Sequence, residues 1–306
     1  MKISIIIPNY NGSMLLKKNI PAVINSIKKY KNSEIIIIDD CSVDNSLSVL
    51  NSFKNNIIII ENNKNIGFAD SVNIAVKKSI GDIIILLNSD VRPDLDFIKP
   101  LLFHFENEKV FAVGCLDKSI ENGEIIQRGR GIGSWTRGFF QHSAGELDKK
   151  NTLWVSGGSG AFRKSIWEKL GGFSSAYYPF YWEDIDISYR AWKLGYEVHF
   201  EKQSKVIHEH EEGAIRKKFN SQYIKTTAYK NQFIFVWKNI TDVELCMSHA
   251  LWLPYHFLIA LKNVNLAFFI GFLKAFFYIP IILLENITLR NKKIISDKNI
   301  LSLFKK

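Results

Sequence analysis

The segment 81–94 constrains the fold of this chain more than any other. Five consecutive apolar residues, three of them β-branched, occupy positions 83–87, between Gly81-Asp82 and Asn88-Ser89-Asp90. Such a run predicts a fully buried central strand, and in open α/β sheets ligands bind at the carboxyl edge of the strands. A carboxylate fixed at that edge suits a hard divalent cation, which prefers oxygen ligands. The alternative is an Asx-rich turn that only ends the strand.

Apolar runs recur through the amino-terminal part of the chain and alternate with segments of helical pattern. The strands predicted before residues 83–87 cover residues 2–7, 34–38 and 57–60. The helices between them are predicted to reach about residue 29, to begin after an N-cap at Asp44, and to cover 68–79. This alternation is typical of a parallel, doubly wound sheet with right-handed crossovers.

Polar residues follow three of these predicted strands. Residues 8–12 follow the first strand, 39–46 follow the second, and 88–90 follow the fourth. Because the carboxyl ends of parallel strands meet at one edge of a sheet, we expect these segments to lie close together. Turn chemistry alone does not explain such convergence, so the sequence predicts a ligand site there.

Composition and charge narrow the class of partner. The chain has 306 residues, 47% of them apolar, which is enough for one large core or two modest ones. Its net charge of +10 favours anionic partners such as nucleotides, nucleic acid or anionic lipid. The basic residues are mostly dispersed lysines, without a dense basic helix or interleaved arginines and aromatics, so we predict no nucleic acid partner.

The cysteines and the first residues of the chain indicate the cellular compartment of the protein. Cys41, Cys115 and Cys246 are odd in number and far apart, which favours reduced, cytosolic thiols. The opening apolar run ends at Pro8-Asn9 and is too short for a signal peptide. We therefore expect the active part of the chain on the cytosolic side.

Two glycine-rich segments follow a predicted helix over 94–106 and a predicted fifth strand over 110–116. Residues 127–140 carry glycines, arginines and Trp135 without a clear period, which predicts a lid or acceptor-docking loop or, alternatively, a disordered surface excursion. Gly158 lies in a Gly-Gly-Ser-Gly run where a ligand can approach the backbone closely; a tight bend is the alternative.

An aromatic cluster over 177–182 runs directly into Glu183 and Asp184, at the start of a predicted helix that Gly195 ends. A carboxylate that the helix dipole keeps ionised beside aromatic walls is suited to act as a general base toward a sugar hydroxyl. Simple N-capping is the alternative.

Short strands are predicted over 198–200 and 205–207. His208 and His210 follow them and are candidate metal ligands, His208 the better one, with ordinary hydrogen-bonded histidine as the alternative.

Several motifs together resemble the family 2 glycosyltransferases of the GT-A fold, especially the rhamnosyltransferase-like branch. The resemblance covers about residues 1–238 and rests on the segments 4–11, 38–44, 65–69, 87–91 and 182–186. It implies an α/β fold with a mostly parallel, Rossmann-like central sheet and flanking helices. Residues 1–116 would form the nucleotide-binding half and 117–238 the acceptor and catalytic half, followed by apolar helices over 239–306.

The resemblance also implies roles for individual residues. Asp184 matches the catalytic base of the family and Glu183 its neighbour. Asp90 would hold Mg²⁺ or Mn²⁺ against the donor diphosphate, and His208 would complete the metal sphere. Asn88 stands where the family carries the first aspartate of its D-x-D triplet. The implied donor-binding residues are Pro8, Tyr10, Asn11, Asp39, Asp40, Gly67, Phe68, Asn88, Ser89, Gly158 and Trp182.

The tail over 239–306 predicts a membrane-associating helical region. Residues 264–284 are apolar apart from Asn265 and Lys274, whereas 251–261 is too short to span a bilayer. Because lysines follow this apolar stretch, we expect in-plane or re-entrant helices on the inner leaflet, at the cytoplasmic face of the membrane. The alternatives are a helical pair packed on the core and a single span.

The predicted function is an inverting, metal-dependent glycosyltransferase. It would move a sugar from a nucleotide-diphosphate donor to a glycan or lipid-linked glycan in surface polysaccharide synthesis. Two alternatives are weighed against it. A sugar nucleotidyltransferase usually carries a Gly-rich basic loop after the first strand, which residues 8–12 lack. A catalytically silent, membrane-bound module that binds nucleotide or glycan is the second.

Overall fold

A mixed sheet forms the centre of the protein. The computed structural model describes residues 1–121, 124–208, 219–287 and 295–305. Within them a nine-stranded sheet has the order β3-β2-β1-β4-β10-β6-β11-β5, with β7 paired to β6, and β8 and β9 form a separate hairpin. The strands are β1 Ile3–Asn9, β2 Ser33–Asp39, β3 Ile58–Glu61, β4 Ile83–Leu87, β5 Val91–Pro93, β6 Val110–Glu121, β7 Glu124–Arg128, β8 Gly131–Thr136, β9 Phe139–Ala144, β10 Ser159–Arg163 and β11 Glu197–His208.

Helices cover both faces of this sheet. Successive residues of β1 and β4 contribute to opposite hydrophobic clusters, as the two-residue period of a strand requires. The helices are α1 Ser13–Ile27, α2 Ser46–Ser52, α3 Phe68–Lys78, α4 Ile98–His104, α5 Lys164–Leu170, α6 Glu183–Lys193, α7 Ser221–Asn239, α8 Val243–Lys262, α9 Leu266–Phe276, α10 Ile279–Ile287 and α11 Asp297–Ser302.

The predicted α/β architecture is confirmed. Strands β1 to β4 pair in parallel in the order β3-β2-β1-β4, so their carboxyl ends share one edge. The strands beyond them bring antiparallel pairs, because β10 runs against both β4 and β6. The two short strands predicted over 198–200 and 205–207 are parts of β11, which an irregularity between Glu201 and Lys205 interrupts.

The loop expected over 127–140 is not a loop. These residues complete β7 and then form most of the β8–β9 hairpin, with Phe139 and Phe140 buried. A Cβ at Gly131 would lie 2.2 Å from the Trp154 ring, and one at Gly133 would lie 2.5 Å from Leu153. Glycine is needed here because the hairpin packs directly on another segment, and these glycines hide the strand period in the sequence.

The carboxyl-terminal helices pack on the core with part of their surface. Phe268 and Ala275 of α9 are buried, and Asp297 of α11 accepts a hydrogen bond of 2.6 Å from the Tyr189 hydroxyl of α6. The apolar stretch 264–284 is divided between α9 and α10. Within the described ranges, none of the helices combines the length and apolarity needed to cross a membrane.

Candidate functional site

A cavity of about 480 Å³ opens at the carboxyl edge of the parallel strands. It is bounded by the segments after β1, β2 and β4, by the loop before β10 and by the start of α6. The predicted site residues that line it are Pro8, Tyr10, Asp40, Gly67, Phe68, Asn88, Ser89, Asp90, Gly158, Glu183, Asp184 and His208. Residues far apart in sequence are therefore brought to one place, as the strand-end pattern predicts.

Asp40 organises one wall of the cavity. Its Oδ1 accepts hydrogen bonds from the Asn62 side chain and the Ile66 amide, both at 2.9 Å, and its Oδ2 accepts one of 2.8 Å from the Gly67 amide. A Cβ at Gly67, where φ is 88°, would lie 2.9 Å from the Tyr178 ring. The buried carboxylate thus holds the loop that leads into α3 against the aromatic segment opposite.

The loop before β10 lies against the end of β4. The Asn88 amide donates a hydrogen bond of 2.9 Å to the Gly158 carbonyl, and a Cβ at Gly158 would lie 2.5 Å from Asn88 Nδ2. Only glycine permits this approach without displacing the asparagine. Asn88 is consequently fixed beside Asp90 at the floor of the cavity.

His208 is held between two carboxylates. Its Nε2 lies 3.2 Å from Asp90 Oδ1, and its Nδ1 lies 2.8 Å from Asp117 Oδ2, which is the partner that orients the ring. Burial alone would lower the pKa of His208, but the carboxylates of Asp117 and Asp90 raise this pKa to about 9. Ser119 donates a hydrogen bond of 3.0 Å to Asp117 and fixes that carboxylate in turn.

Asp90 and His208 fit a divalent cation that is shared with a substrate. Asp90 is 8% exposed, and its Oδ1 accepts no well-aligned hydrogen bond from the described residues, despite its distance to His208. In the described part of the chain, no group of three or more His, Cys, Asp or Glu residues has the arrangement of a metal site. The pair of Asp90 and His208 nevertheless suits Mg²⁺, because proteins often bind this ion through only one or two side chains together with substrate phosphates.

Two adjacent carboxyl groups face the cavity at the start of α6. Burial and the neighbouring Asp184 raise the pKa of Glu183 to about 8, and Glu183 Oε2 has no hydrogen-bond partner among the described residues. Burial also raises the pKa of Asp184, but its oxygens accept hydrogen bonds from the amides of Ile185 at 2.8 Å and Gly157 at 3.3 Å. Because these amides favour the charged form, Asp184 ionises more readily than Glu183, whose raised pKa favours its neutral form.

A buried charge network fixes α6 behind these groups. Asp186 is 0% exposed, accepts a hydrogen bond of 2.7 Å from Arg190, and lies 3.1 Å from the Lys238 ammonium. Burial alone would raise the pKa of Asp186, but Arg190 and Lys238 lower it to about 2. The start of α6 is thereby anchored to α7.

Three predicted donor-binding residues lie outside the cavity lining. Asp39 is buried and accepts hydrogen bonds from Asn9 at 2.8 Å and from the Ser42 hydroxyl at 2.7 Å, so it ties the end of β1 to the turn after β2. Asn11 uses its side-chain oxygen to bind the Val43 amide at 2.8 Å. Trp182 faces a second cavity on the other side of the aromatic segment. None of these three residues is part of the lining of the first cavity.

The structure adds residues that the sequence analysis did not assign. Arg128 lines the cavity from the end of β7, and residues 178–181 form its aromatic wall. The aromatic cluster was visible in the sequence, but the sequence did not show which of its residues face this cavity. Asp117 had the same signal as Asp90, a carboxylate after an apolar strand run, and that signal would have identified it. His210 lies outside the described residues.

Comparisons with known proteins agree with this geometry. Residues 4–171 match the family described as Glycosyl transferase family 2. The chain is 28% identical over 217 residues to the O-antigen chain rhamnosyltransferase RfbN of Salmonella typhimurium, covering 69% of this chain and 67% of that protein. It is 39% identical over 110 residues to the UDP-Glc:alpha-D-GlcNAc-diphosphoundecaprenol beta-1,3-glucosyltransferase WfaP of Escherichia coli, covering 36% of this chain and 43% of that protein.

Solved structures share the fold. GalNAc-T7 with UDP, GalNAc and Mn²⁺ superposes with a TM-score of 0.64 at 19% identity, over 78% of this chain and 48% of that one. TarS residues 1–349 of S. aureus with UDP-GlcNAc gives a TM-score of 0.59 at 16% identity, over 84% and 73%. The chain thus spans about two thirds of the rhamnosyltransferase but under half of the glucosyltransferase and of GalNAc-T7.

Proposed function

Because this chain belongs to glycosyl transferase family 2, we propose that it is an inverting, metal-dependent enzyme of surface polysaccharide synthesis. The donor is a sugar nucleoside diphosphate, and the acceptor is a glycan or a lipid-linked glycan. The observation that carries the proposal is that one cavity contains both the Asp90–His208 pair and the carboxylate of Asp184. These groups supply the two requirements of the reaction, a site for the diphosphate and a base.

The diphosphate is assigned to the Asp90 end of the cavity. Asp90 and His208 would hold Mg²⁺ or Mn²⁺, which supplies positive charge that stabilises the leaving nucleoside diphosphate. Arg128, at the same cavity, adds a guanidinium suited to phosphate oxygens. The nucleoside is assigned to the wall formed by Tyr10, Asp40 and Phe68, where the Asp40 hydrogen bonds keep the loop in place.

Asp184 is assigned as the general base. The amides of Gly157 and Ile185 keep its carboxylate ionised and oriented, so it can accept the proton of an acceptor hydroxyl as that oxygen attacks the sugar. Inversion requires that the attacking oxygen and the leaving phosphate lie on opposite faces of the sugar. Glu183, buried and neutral, keeps the adjacent position free of a second negative charge.

The acceptor side of the proposal places the protein on the cytoplasmic face of a membrane. Helices α8 to α10 and the short turn between α9 and α10 expose a set of large apolar side chains, named here the apolar face: Met247, Leu251, Leu258, Leu261, Leu266, Ile270, Leu273, Phe276, Phe277, Ile281, Leu283 and Leu284. Exposed apolar patches of this extent mark interaction surfaces. The spacing along α8 and α9 puts these side chains on one side of each helix.

The apolar character of these helices favours a lipid surface as the partner of the apolar face. The three helices carry Lys262 and Lys274 together with Glu244 and Glu285, so the exposed apolar side chains, and not a net charge, carry this assignment. An apolar helical surface of this kind suits in-plane binding at the boundary of headgroups and acyl chains. A lipid-linked acceptor would meet the enzyme at this surface.

Donor hydrolysis tests the enzymatic proposal. Sugar nucleotides carrying uracil, guanine, thymine or cytosine are incubated with the protein, with Mn²⁺ or with EDTA. We expect slow release of the nucleoside diphosphate from one of them, dependent on Mn²⁺ and lost with EDTA. Hydrolysis that EDTA leaves unchanged contradicts the metal assignment, and no hydrolysis or transfer with any donor favours a catalytically silent binding module.

A further inference from the structure

A second cavity, of about 560 Å³, is lined by Trp182, whose chain neighbours Tyr181 and Glu183 line the first. It is enclosed by β9 of the hairpin, by one face of α7 and by the turn between α8 and α9. Its lining consists of Gln141, His142, Trp182, Gln222, Lys225, Ala228, Tyr229, Gln232, Asn263, Val264, Asn265 and Leu266. Most of these residues lie beyond the segment that matches the family, so the cavity belongs to the carboxyl-terminal part of this chain.

The lining has a distinctive chemistry. Five side-chain amides and the exposed ammonium group of Lys225 line it together with an indole, an imidazole and a phenol, and among the described lining residues no carboxylate occurs. Burial lowers the pKa of His142, so its ring is neutral near pH 7. Amides and neutral imidazole both donate and accept hydrogen bonds, and aromatic rings pack against the apolar faces of ligands. A hydroxyl-rich ligand without a cationic group fits such a surface, since the amides, the imidazole and the Lys225 ammonium can all form hydrogen bonds with hydroxyl groups.

The polar face of α7 is held in place at both ends of this cavity. Gln232 donates a hydrogen bond of 3.1 Å to the Phe140 carbonyl of the hairpin, and Asn265 donates one of 2.9 Å to the Tyr229 hydroxyl. Gln222 and Lys225 follow on the same side of the helix, as a spacing of three residues requires. Gln232, Tyr229 and Asn265 are therefore fixed before a ligand arrives, which reduces the entropic cost of binding.

The aromatic segment joins the two cavities. Tyr181 and Glu183 line the first cavity, whereas Trp182 between them lines the second. Tyr181 and Trp182 both adopt positive φ, 71° and 79°, a conformation that bulky residues rarely take. Asn231 of α7 holds this turn by donating hydrogen bonds of 2.8 Å to the carbonyls of Phe180 and Tyr181. Trp182 of the second cavity thus lies two residues before Asp184 of the first cavity in a turn that is held rigidly.

We propose that the second cavity binds the acceptor glycan, taking the uncharged sugar units next to the one that bears the accepting hydroxyl. This inference rests on the proposed function and names its acceptor subsite. Val264 and Leu266 line the cavity next to the apolar face, so a lipid-linked glycan can occupy the cavity while its lipid remains in the bilayer.

The test measures glycan binding in the absence of turnover. Saturation-transfer NMR is used with methyl glycosides and disaccharides of glucose, galactose, mannose, rhamnose, N-acetylglucosamine and N-acetylgalactosamine. We expect wild-type protein to bind at least one of them. Gln222→Ala and Asn263→Ala, both at exposed positions, should weaken this binding by about fivefold or more, because each removes a hydrogen bond.

Gln203→Ala is the matched control, because Gln203 is an exposed glutamine of β11 that lines neither cavity. It should bind glycan like the wild type. The inference is overturned if wild-type protein binds none of the sugars, or if Gln222→Ala and Asn263→Ala bind as well as the control. Nucleotide-induced thermal stabilisation, measured on the same variants, reports on the donor cavity separately, so failure of the acceptor subsite is distinguishable from failure of the proposed function.

Discussion

The Nε2 atom of His208 lies 3.2 Å from Oδ1 of Asp90, at the junction of two distant parts of the chain. Asp90 follows the central strand β4, and His208 ends the strand β11, which pairs with β5 just beyond Asp90. The topology of the sheet therefore assembles this pair without any local sequence signal that links the two residues. It is the part of the site best suited to a cation and a diphosphate.

Removal of the Asp90 carboxylate should impair metal-dependent donor binding. In Asp90→Ala, we expect the affinity for a nucleoside diphosphate in the presence of Mn²⁺ to fall at least about tenfold, since even indirect metal partners contribute about 10- to 100-fold. Calorimetric titration measures the change. Asp94→Ala, an exposed carboxylate on the same segment, is the control and should bind normally. Equal affinities for the two variants would show that Asp90 does not hold the metal.

Asp117 should act through His208 and not through the ligand. It holds Nδ1 of that ring at 2.8 Å, which leaves Nε2 directed at Asp90. Asp117→Asn should weaken Mn²⁺ binding in the presence of nucleotide by about 10- to 100-fold, because partners of this kind fix the tautomer and orientation of a ligand histidine. Nucleotide binding measured without metal should be unchanged. If Asp117→Asn lost both Mn²⁺ binding and metal-free nucleotide binding, Asp117 would instead be a residue that supports the fold.

The adjacent carboxyl groups should differ in their contribution to rate. Asp184→Asn should lower turnover by about 100- to 10,000-fold, the usual contribution of a general base, while nucleotide binding is retained. Glu183→Gln replaces a neutral acid with a neutral amide and should cost much less activity. Steady-state kinetics with the nucleotide sugar that the enzyme accepts provide the comparison. Near-normal turnover of Asp184→Asn would contradict the assignment of Asp184 as the general base.

Glu183 should also make stability depend on pH. The pKa of Glu183 is about 8 in the folded protein, against an ordinary value of 4.5. The contribution of its neutral form to the free energy of unfolding is therefore fully present below pH 4.5 and is lost as the pH rises through about 8. Glu183→Gln does not titrate. We therefore expect the stability of this variant relative to wild type to increase between pH 5 and pH 8. Urea unfolding at several pH values measures it, and parallel pH profiles would contradict the raised pKa.

The apolar face should determine binding to lipid. Leu251→Ser, Leu273→Ser and Phe277→Ser together remove three side chains that are 75%, 59% and 80% exposed. We expect the partition onto anionic vesicles to fall at least about 100-fold, since burying each such side chain contributes about 1.5–3 kcal/mol. Sedimentation with phosphatidylglycerol vesicles is the measurement.

Phe103→Ser is the control for this experiment, because Phe103 is 72% exposed but lies on α4. It should sediment with vesicles like the wild type. Wild-type protein that ignores vesicles and instead forms a dimer, which the triple variant abolishes, would assign the apolar face to a second copy of the chain.

Local sequence pattern predicted the parallel strands and the position of the site, because a buried strand and the polar residues at its end are both encoded locally. It did not decide between Asp39 and Asp40. Asp39 is the last residue of β2 and Asp40 follows it, but only Asp40 is part of the cavity lining, whereas Asp39 accepts hydrogen bonds from Asn9 and Ser42. That choice depends on tertiary contacts of neighbouring turns, which no local period records.

The hairpin was missed for a similar reason. The glycines at 131 and 133 contact Trp154 and Leu153, so their meaning lies in a packing contact about twenty residues away in sequence. Asp117 was missed although the fifth strand was expected to end at residue 116, so that its carboxylate directly follows an apolar run; β6 in fact continues to Glu121. Its role depends on the contact with His208 of the neighbouring strand β11, which no local pattern records.

The most direct test of the account is the thermal stability of the purified protein with UDP, GDP, dTDP and CDP, each with and without Mn²⁺. A ligand that binds only the folded state raises the melting temperature by mass action. We expect one nucleotide to raise it in a Mn²⁺-dependent manner, and Asp90→Ala to lose that rise. Folded protein that shows no rise with any nucleotide would contradict the donor site on which the proposed function rests.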